Sequence, residues 1–147
     1  MVVAIRAFEL RRIQMAFWLL KTEPNEFSWE DLLRDGSTVW NGVTNAQALI
    51  NLRAMQLDDQ CLIYHSGDVR AAVGIARVSR TAYPDPNSEN PKHVVVEIEP
   101  VGPLAQPVSL AQIKAEPSLA DWALVRQSRL SVVPCNPEQW AWIIAQA

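Results

Sequence analysis

Glycine is scarce in this chain, five in 147 residues, and no two of them build a Gly-rich loop. Without such a loop there is no backbone cradle for a nucleotide pyrophosphate or triphosphate, so NAD- and ATP-type sites are excluded. There are only two histidines, His65 and His93. They stand far apart with no carboxylate motif between them, and no dedicated metal site is expected. The two cysteines, Cys61 and Cys135, lie in apolar, strand-like runs without a CxxC partner. They read as buried, reduced thiols, the usage of a cytoplasmic protein rather than of a disulfide scaffold.

Basic charge is also lacking. Thirteen Lys and Arg against sixteen Asp and Glu give a net charge of −3. A protein that grips a duplex by many phosphates needs a broad basic surface, so any nucleic-acid role here must rest on a pocket. Long hydrophobic runs are missing too. Stretches such as Ala16–Leu20 fall far short of the about 20 residues that span a bilayer, so no membrane association is expected. In the segment Met1–Gln14 the charges follow the apolar residues and no small-residue cleavage site comes after them, which excludes a secretory signal. Residues 1–15 read as an N-terminal extension and residues 16–147 as one domain.

Tryptophan is what the chain has in excess: six, against three Phe and two Tyr. Trp29, Trp122, Trp140 and Trp142 fall on expected helices and suit core packing. Trp18 lies on the apolar strand Phe17–Leu20, which leads into Lys21. Trp40 and Tyr64 differ, because each abuts polar turn formers: Asn41-Gly42 and His65-Ser66-Gly67. Aromatic faces beside amide and hydroxyl groups are what a planar heterocycle needs, the faces for stacking and the polar groups for its hydrogen-bonding edge. From the residues alone Trp40 fits either a packed core residue before a turn or a wall of such a site.

The remaining elements read as follows. Ser28-Trp29-Glu30-Asp31 is a capping box that starts a helix ending at Gly36. Ala46–Met55 has helical spacing with Thr44 or Asn45 as its cap. Gln60–His65, Ala71–Val78 and His93–Glu99 are strands, with Gly74 marking a bulge or a close backbone approach. Tyr83–Pro91 is turn chemistry throughout and reads as a surface loop. Ser109 and Ser118 each open a further capping box, Arg129–Cys135 is a last strand, and Asn136-Pro137 starts a C-terminal helix. Strands joined by loops and short helices point to α+β with a compact, mostly antiparallel sheet or barrel.

No serine sits in a nucleophile elbow. His65 beside Ser66, with Asp68 following, leaves a small hydrolase as one alternative. Arg126-Gln127-Ser128-Arg129, at the entry to the final strand, offers two guanidiniums for phosphate or a solvated loop with Arg paired to Asp121.

Phe17–Pro24, Phe27–Leu32, Trp40–Asn45, Asn51–Met55, Tyr64–Ser66, Ala82–Pro86 and Leu124–Val132 together, in this order, resemble the EVE domain, over about residues 16–146. One departure stands out: Thr44 occupies a position where many members carry Arg. The EVE domain is similar to the PUA-like superfamily, with the YTH and ASCH domains as relatives. The resemblance implies a mostly antiparallel β pseudo-barrel flanked by short helices. It further implies a non-catalytic, cofactor-free pocket that reads a modified nucleobase, such as a 5-modified cytosine in DNA or a modified base in RNA. Carried over, the pocket walls come from Trp18, Lys21, Trp40, Asn41, Tyr64, His65 and Ser66, with Arg126, Gln127, Ser128 and Arg129 at the rim. The expected partner is a nucleic acid bearing the modified base; a partner protein is left open. The alternatives are a nucleotide-processing hydrolase using His65 and a sensor of free modified nucleosides.

Overall fold

The computed structural model describes residues 16–147; the extension expected over residues 1–15 lies outside the described residues. Among the described residues six strands and five short α-helices make a mixed α+β fold. In chain order they are β1 (Phe17–Thr22), α1 (Trp29–Asp35), β2 (Thr38–Trp40), α2 (Ala46–Ala54), β3 (Gln60–His65), β4 (Ala71–Pro84), β5 (Val94–Ser109), α3 (Leu110–Lys114), α4 (Ala123–Arg126), β6 (Val132–Cys135) and α5 (Pro137–Gln146). The sheet order is β2-β5-β4-β3-β1-β6. Every pairing is antiparallel except β1 with β3, which run parallel with Lys21 opposite Tyr64.

The helices begin where local chemistry starts them. Ser28 and Asp31 close a reciprocal capping box on α1, and Gly36 ends it at φ 75, donating its N–H to the Leu32 carbonyl. Asn45, rather than Thr44, caps α2 by accepting from Ala48 N at 3.0 Å. Asn136 caps α5, with Pro137 in the first turn where its missing N–H costs nothing.

The core forms between sheet and helices. Leu19, Leu62, Val78, Ile98, Leu32, Leu52 and Ile143 are fully buried. Phe17 stacks on Trp140 with ring centroids 4.5 Å apart, and the Trp122 indole donates to the Pro134 carbonyl. Gly74 combines both features expected of it: the β4 register shifts between Ala72 and Gly74, and a Cβ there would meet the Trp29 ring at 2.6 Å. No helix among the described residues is long and apolar enough to cross a membrane.

Beyond shifts of one or two residues at element ends, four features differ from the sequence reading. Tyr83 and Pro84 belong to β4, paired with Val95 and Val94, so the surface loop begins only at Asp85. Proline is tolerated there because the next main-chain bond to the partner segment is donated by Asp85, whose N–H reaches the His93 carbonyl at 3.0 Å, and not by residue 84. β5 continues past Glu99 through Pro100, Pro103 and Pro107, and repeated register shifts in the β4–β5 pairing absorb the first two of them. Ser118 is not a helix cap: Pro117 takes the first position of a 3₁₀ turn, which puts Glu116 at the cap. The last strand starts at Val132 rather than at Arg129.

Candidate base-binding site

The two parallel strands leave the sheet at the same end, and this brings the chemistry together. Beyond β1 the chain turns at Glu23, whose carbonyl accepts from Glu26 N and Phe27 N, both at 2.9 Å. The Thr22 hydroxyl donates to the Phe27 carbonyl at 2.7 Å, closing that turn. Beyond β3, Ser66 N donates to the Thr22 carbonyl at 2.9 Å, and Lys21 N donates to the Ser131 carbonyl at 2.9 Å. Residues distant in sequence are thus tied around Lys21 and Thr22 by main-chain bonds.

A cleft of about 550 Å³ opens here, within the usual range for small-molecule sites. Its aromatic wall is Trp40, at the end of edge strand β2, and Phe27, packed edge-on at 6.3 Å. Trp40 is only 7% exposed, so it is at once a core residue and a lining residue. Val43 supplies apolar surface beside it. The polar lining comes from Lys21, Thr22, Glu23, Glu26, Asn41 and Ser131. The exposed Asn41 side chain makes no hydrogen bond within the described residues, which leaves its amide free to donate and accept. Gly42 turns the chain at φ 78, a left-handed conformation that carries Trp40-Asn41 out of β2 and into the cap of α2.

Lys21 borders a second hollow as well. Its Nζ donates to the Ser128 carbonyl at 3.0 Å and lies 5.9 Å from the centre of the Tyr64 ring. Partial burial pulls this ammonium below the ordinary lysine range. The second hollow, about 230 Å³, contains Tyr64 and Ser66 together with Arg70 and Lys114. A third, about 310 Å³, is lined by Arg126, Gln127, Ser128 and Arg129 with Asn45 and Gln47. Arg126 lies 3.5 Å from Asp121. Thr44 borders a fourth, about 280 Å³, with Arg53, Lys92 and His93.

The sequence-derived site residues therefore distribute unevenly. Lys21, Trp40 and Asn41 share the cleft, while Tyr64 and Ser66 stand on the far side of Lys21, and Arg126–Arg129 flank them. Trp18 lines none of these hollows. Strand alternation turns it away from Lys21 into the interior, where its indole N–H donates to the buried Asp59 carboxylate at 3.0 Å. His65 is also buried, and its Nε2 accepts from the backbone N–H of Trp29 at 3.0 Å. That bond fixes the neutral tautomer with its proton on Nδ1, and burial lowers the His65 pKa while the charges of Glu30 and Glu23 partly oppose the shift. The imidazole thus serves as a partner for the first amide of α1.

Glu23, Glu26, Phe27, Val43 and Ser131 line the cleft without having been singled out for it. The signal for Glu23 and Phe27 lay in the turn that follows Lys21, where Pro24 halts the strand and folds the next side chains back over its end. Neither cysteine offers a nucleophile: burial pushes the Cys135 thiol up to about 12 and the Cys61 thiol higher still. Among the described residues no group of three or more His, Cys, Asp or Glu could hold a metal.

Comparison with known proteins returns one family. The EVE domain model matches residues 16–146. Thymocyte nuclear protein 1 of Rattus norvegicus is 31% identical over 163 aligned residues, covering 88% of this chain and 72% of that protein. The NMR structure of a Rhodopseudomonas palustris protein is 43% identical, with a TM-score of 0.84 over 89% of this chain and 92% of the other. The crystal structure of the human THYN1 protein in complex with 5-methylcytosine-containing DNA is 28% identical, with a TM-score of 0.82 over 89% of this chain and 96% of the other.

Proposed function

The chain belongs to the EVE domain family, and from that premise we propose that it is a non-catalytic DNA-binding module that takes a flipped, 5-modified cytosine into the cleft beside Trp40. The observation that carries this reading is the lining itself: an aromatic and apolar wall of Trp40, Phe27 and Val43 facing Lys21, Asn41 and Glu23. Cytosine presents an amino donor at N4 and acceptors at N3 and O2, and carboxylates characteristically accept from that amino group. Glu23 and Glu26 supply acceptors, while Asn41 and Lys21 supply donors. A methyl group at C5 adds apolar surface that suits Trp40 and Val43, as apolar side chains suit the thymine methyl. The complex of the human THYN1 protein with 5-methylcytosine DNA supports the same ligand class.

An extruded base also accounts for how an acidic protein binds nucleic acid. Stacking contributes about 1–3 kcal/mol per base, so one well-seated base supplies most of the contact and the affinity of the domain by itself should be modest. In this reading His65 holds α1 in place, and no side chain performs chemistry.

The test is a tryptophan-fluorescence titration with short oligonucleotides carrying cytosine, 5-methylcytosine or 5-hydroxymethylcytosine, as DNA and as RNA, alongside the free nucleosides. Affinity should depend on the modification and fall about tenfold or more in Asn41→Ala, in line with the loss of a hydrogen-bonded base edge. Because Trp40 is buried, its replacement by Ala would cost about 3–5 kcal/mol of stability; Trp40→Phe is the sounder probe of the wall. Equal affinity for all bases would sink the assignment. Free nucleosides binding as tightly as oligonucleotides would identify a nucleoside sensor instead.

A further inference from the structure

The lysines and arginines among the described residues fall into two groups. Arg34, Arg77, Arg80 and Arg126 each pair with a carboxylate. Lys21, Arg53, Arg70, Lys92, Lys114 and Arg129 have no carboxylate partner among the described residues, and every one of them lines a hollow. Three of these six, Lys21, Arg70 and Lys114, converge on the single hollow of about 230 Å³ that also holds Tyr64 and Ser66. No carboxylate among the described residues lines it, although acids outnumber bases in the chain.

Gathering like charges around so small a space is unfavourable in the empty protein, because each raises the potential felt by the others. An anion reverses the sign of that interaction. The side chains are also set for one. Arg70 spends its Nε on the Gly67 carbonyl at 3.1 Å, which orients the guanidinium and leaves its terminal nitrogens unbonded within the described residues. Its backbone is held at φ 49 while its carbonyl accepts from Leu110 N at 2.8 Å. Lys21 spends one proton on the Ser128 carbonyl and keeps two. The Tyr64 and Ser66 hydroxyls make no hydrogen bond within the described residues and add neutral donors. Ammonium, guanidinium and hydroxyl donors around a shallow hollow suit a phosphate oxygen pair.

We propose that the hollow bounded by Lys21, Arg70 and Lys114 is a phosphodiester-binding subsite, holding the phosphate next to the base that occupies the cleft. It rests on the reading of the cleft as a base site, since Lys21 borders both spaces. Arg126–Arg129 adjoin it across Ser128, which lines both hollows, so the strand leaves the base along that side of the domain.

The experiment pairs a double variant with neutralised phosphates. Arg70→Gln/Lys114→Gln changes two exposed side chains and should melt within a degree or two of the wild type. Binding of single-stranded oligonucleotides with one 5-methylcytosine is measured against salt, using the natural backbone and versions in which one flanking phosphate at a time is a methylphosphonate. The wild type should lose about tenfold at one methylphosphonate position, and the double variant should be indifferent to that same position. The slope of log K against log salt should fall by about 0.7 in the double variant, the increment for one single-strand phosphate. Its preference for 5-methylcytosine over cytosine should stay that of the wild type. A variant that keeps the full slope, or that suffers equally at every methylphosphonate position, overturns the subsite. Wild-type binding without preference for the modified base would overturn the cleft reading alone, the methylphosphonate cycle still deciding the subsite; no oligonucleotide binding at all overturns both.

Discussion

Removing the His65 imbidazole with His65→Ala separates positioning from chemistry. The imidazole accepts from the first backbone amide of α1, Trp29 N, at 3.0 Å, inside a site where the side chain is only 7% exposed. Deleting it strands a buried donor, which costs about 1–3 kcal/mol. The void left by the ring adds about 1 kcal/mol or more, so the loss should total about 2–4 kcal/mol. The pH dependence has a definite sign. An unfolded histidine titrates near 6.5, and burial lowers the folded value. Between those two values the unfolded chain binds more protons, so the contribution of His65 is complete above about pH 6.5 and is lost as pH falls toward the folded pKa, at no more than about 1.36 kcal/mol per pH unit. Protonation also removes the lone pair that Trp29 N needs. Urea unfolding followed by tryptophan fluorescence, at pH 7.5 and at pH 5.5, should therefore show a wild-type advantage that shrinks at the lower pH. An advantage that is absent, or that grows on acidification, refutes this account of the imidazole. At pH 7.5 the folded variant should still bind a modified oligonucleotide; a turnover activity that vanishes with His65 would instead restore the hydrolase alternative.

Two further outcomes follow from packing. Gly74→Ala puts a methyl group 2.6 Å from the fused edge of the Trp29 ring, and overpacking of that kind should lower stability by about 1–3 kcal/mol, read as a fall in urea midpoint with an unchanged slope. With both cysteines buried and their thiols raised, Cys135 to about 12, an aromatic disulfide reagent at pH 8 should leave the native protein unlabelled and titrate both thiols once urea unfolds it; prompt labelling of native protein would show that the thiols are reachable.

Where the sequence could be read, the interactions were local. The boxes at Ser28, Ser109 and Asn136 join residues three apart, and each starts a helix where its side chains meet. The strand Gln60–His65 was visible because its apolar run is bounded on both sides by turn chemistry. What stayed hidden depends on partners far along the chain. Thr38–Trp40 is a strand only because β5 pairs with it, and the prolines of β5 are tolerated in a pairing whose register keeps shifting. Trp18 and Trp40 were carried over as walls of one pocket, yet strand alternation and Asp59 take the first inward while Gly42 leaves the second at a cleft. Of the residues carried over as a single pocket, Lys21, Trp40, Asn41, Tyr64 and Ser66 divide between two neighbouring hollows that Lys21 borders in common, while Trp18 and His65 are turned into the interior. The turn at Pro24 is legible, but that it faces Trp40 and Asn41 depends on where β2 lies in the sheet.

The parallel pairing of β1 with β3 bears on when the binding face comes into being. Two strands that run the same way cannot be joined by a hairpin, and here α1, β2 and α2 intervene between them. Lys21 also needs Ser128 and Ser131, contributed by the C-terminal part of the domain, for its side-chain and main-chain bonds. The cleft is thus assembled from contacts of large sequence separation, which are the slow ones to form. During synthesis a chain that has emerged only through β5 carries the aromatic wall but lacks the segment that seats Lys21. Competence to bind should accordingly mark the end of folding, and a partly folded or C-terminally shortened chain should be silent toward its ligand.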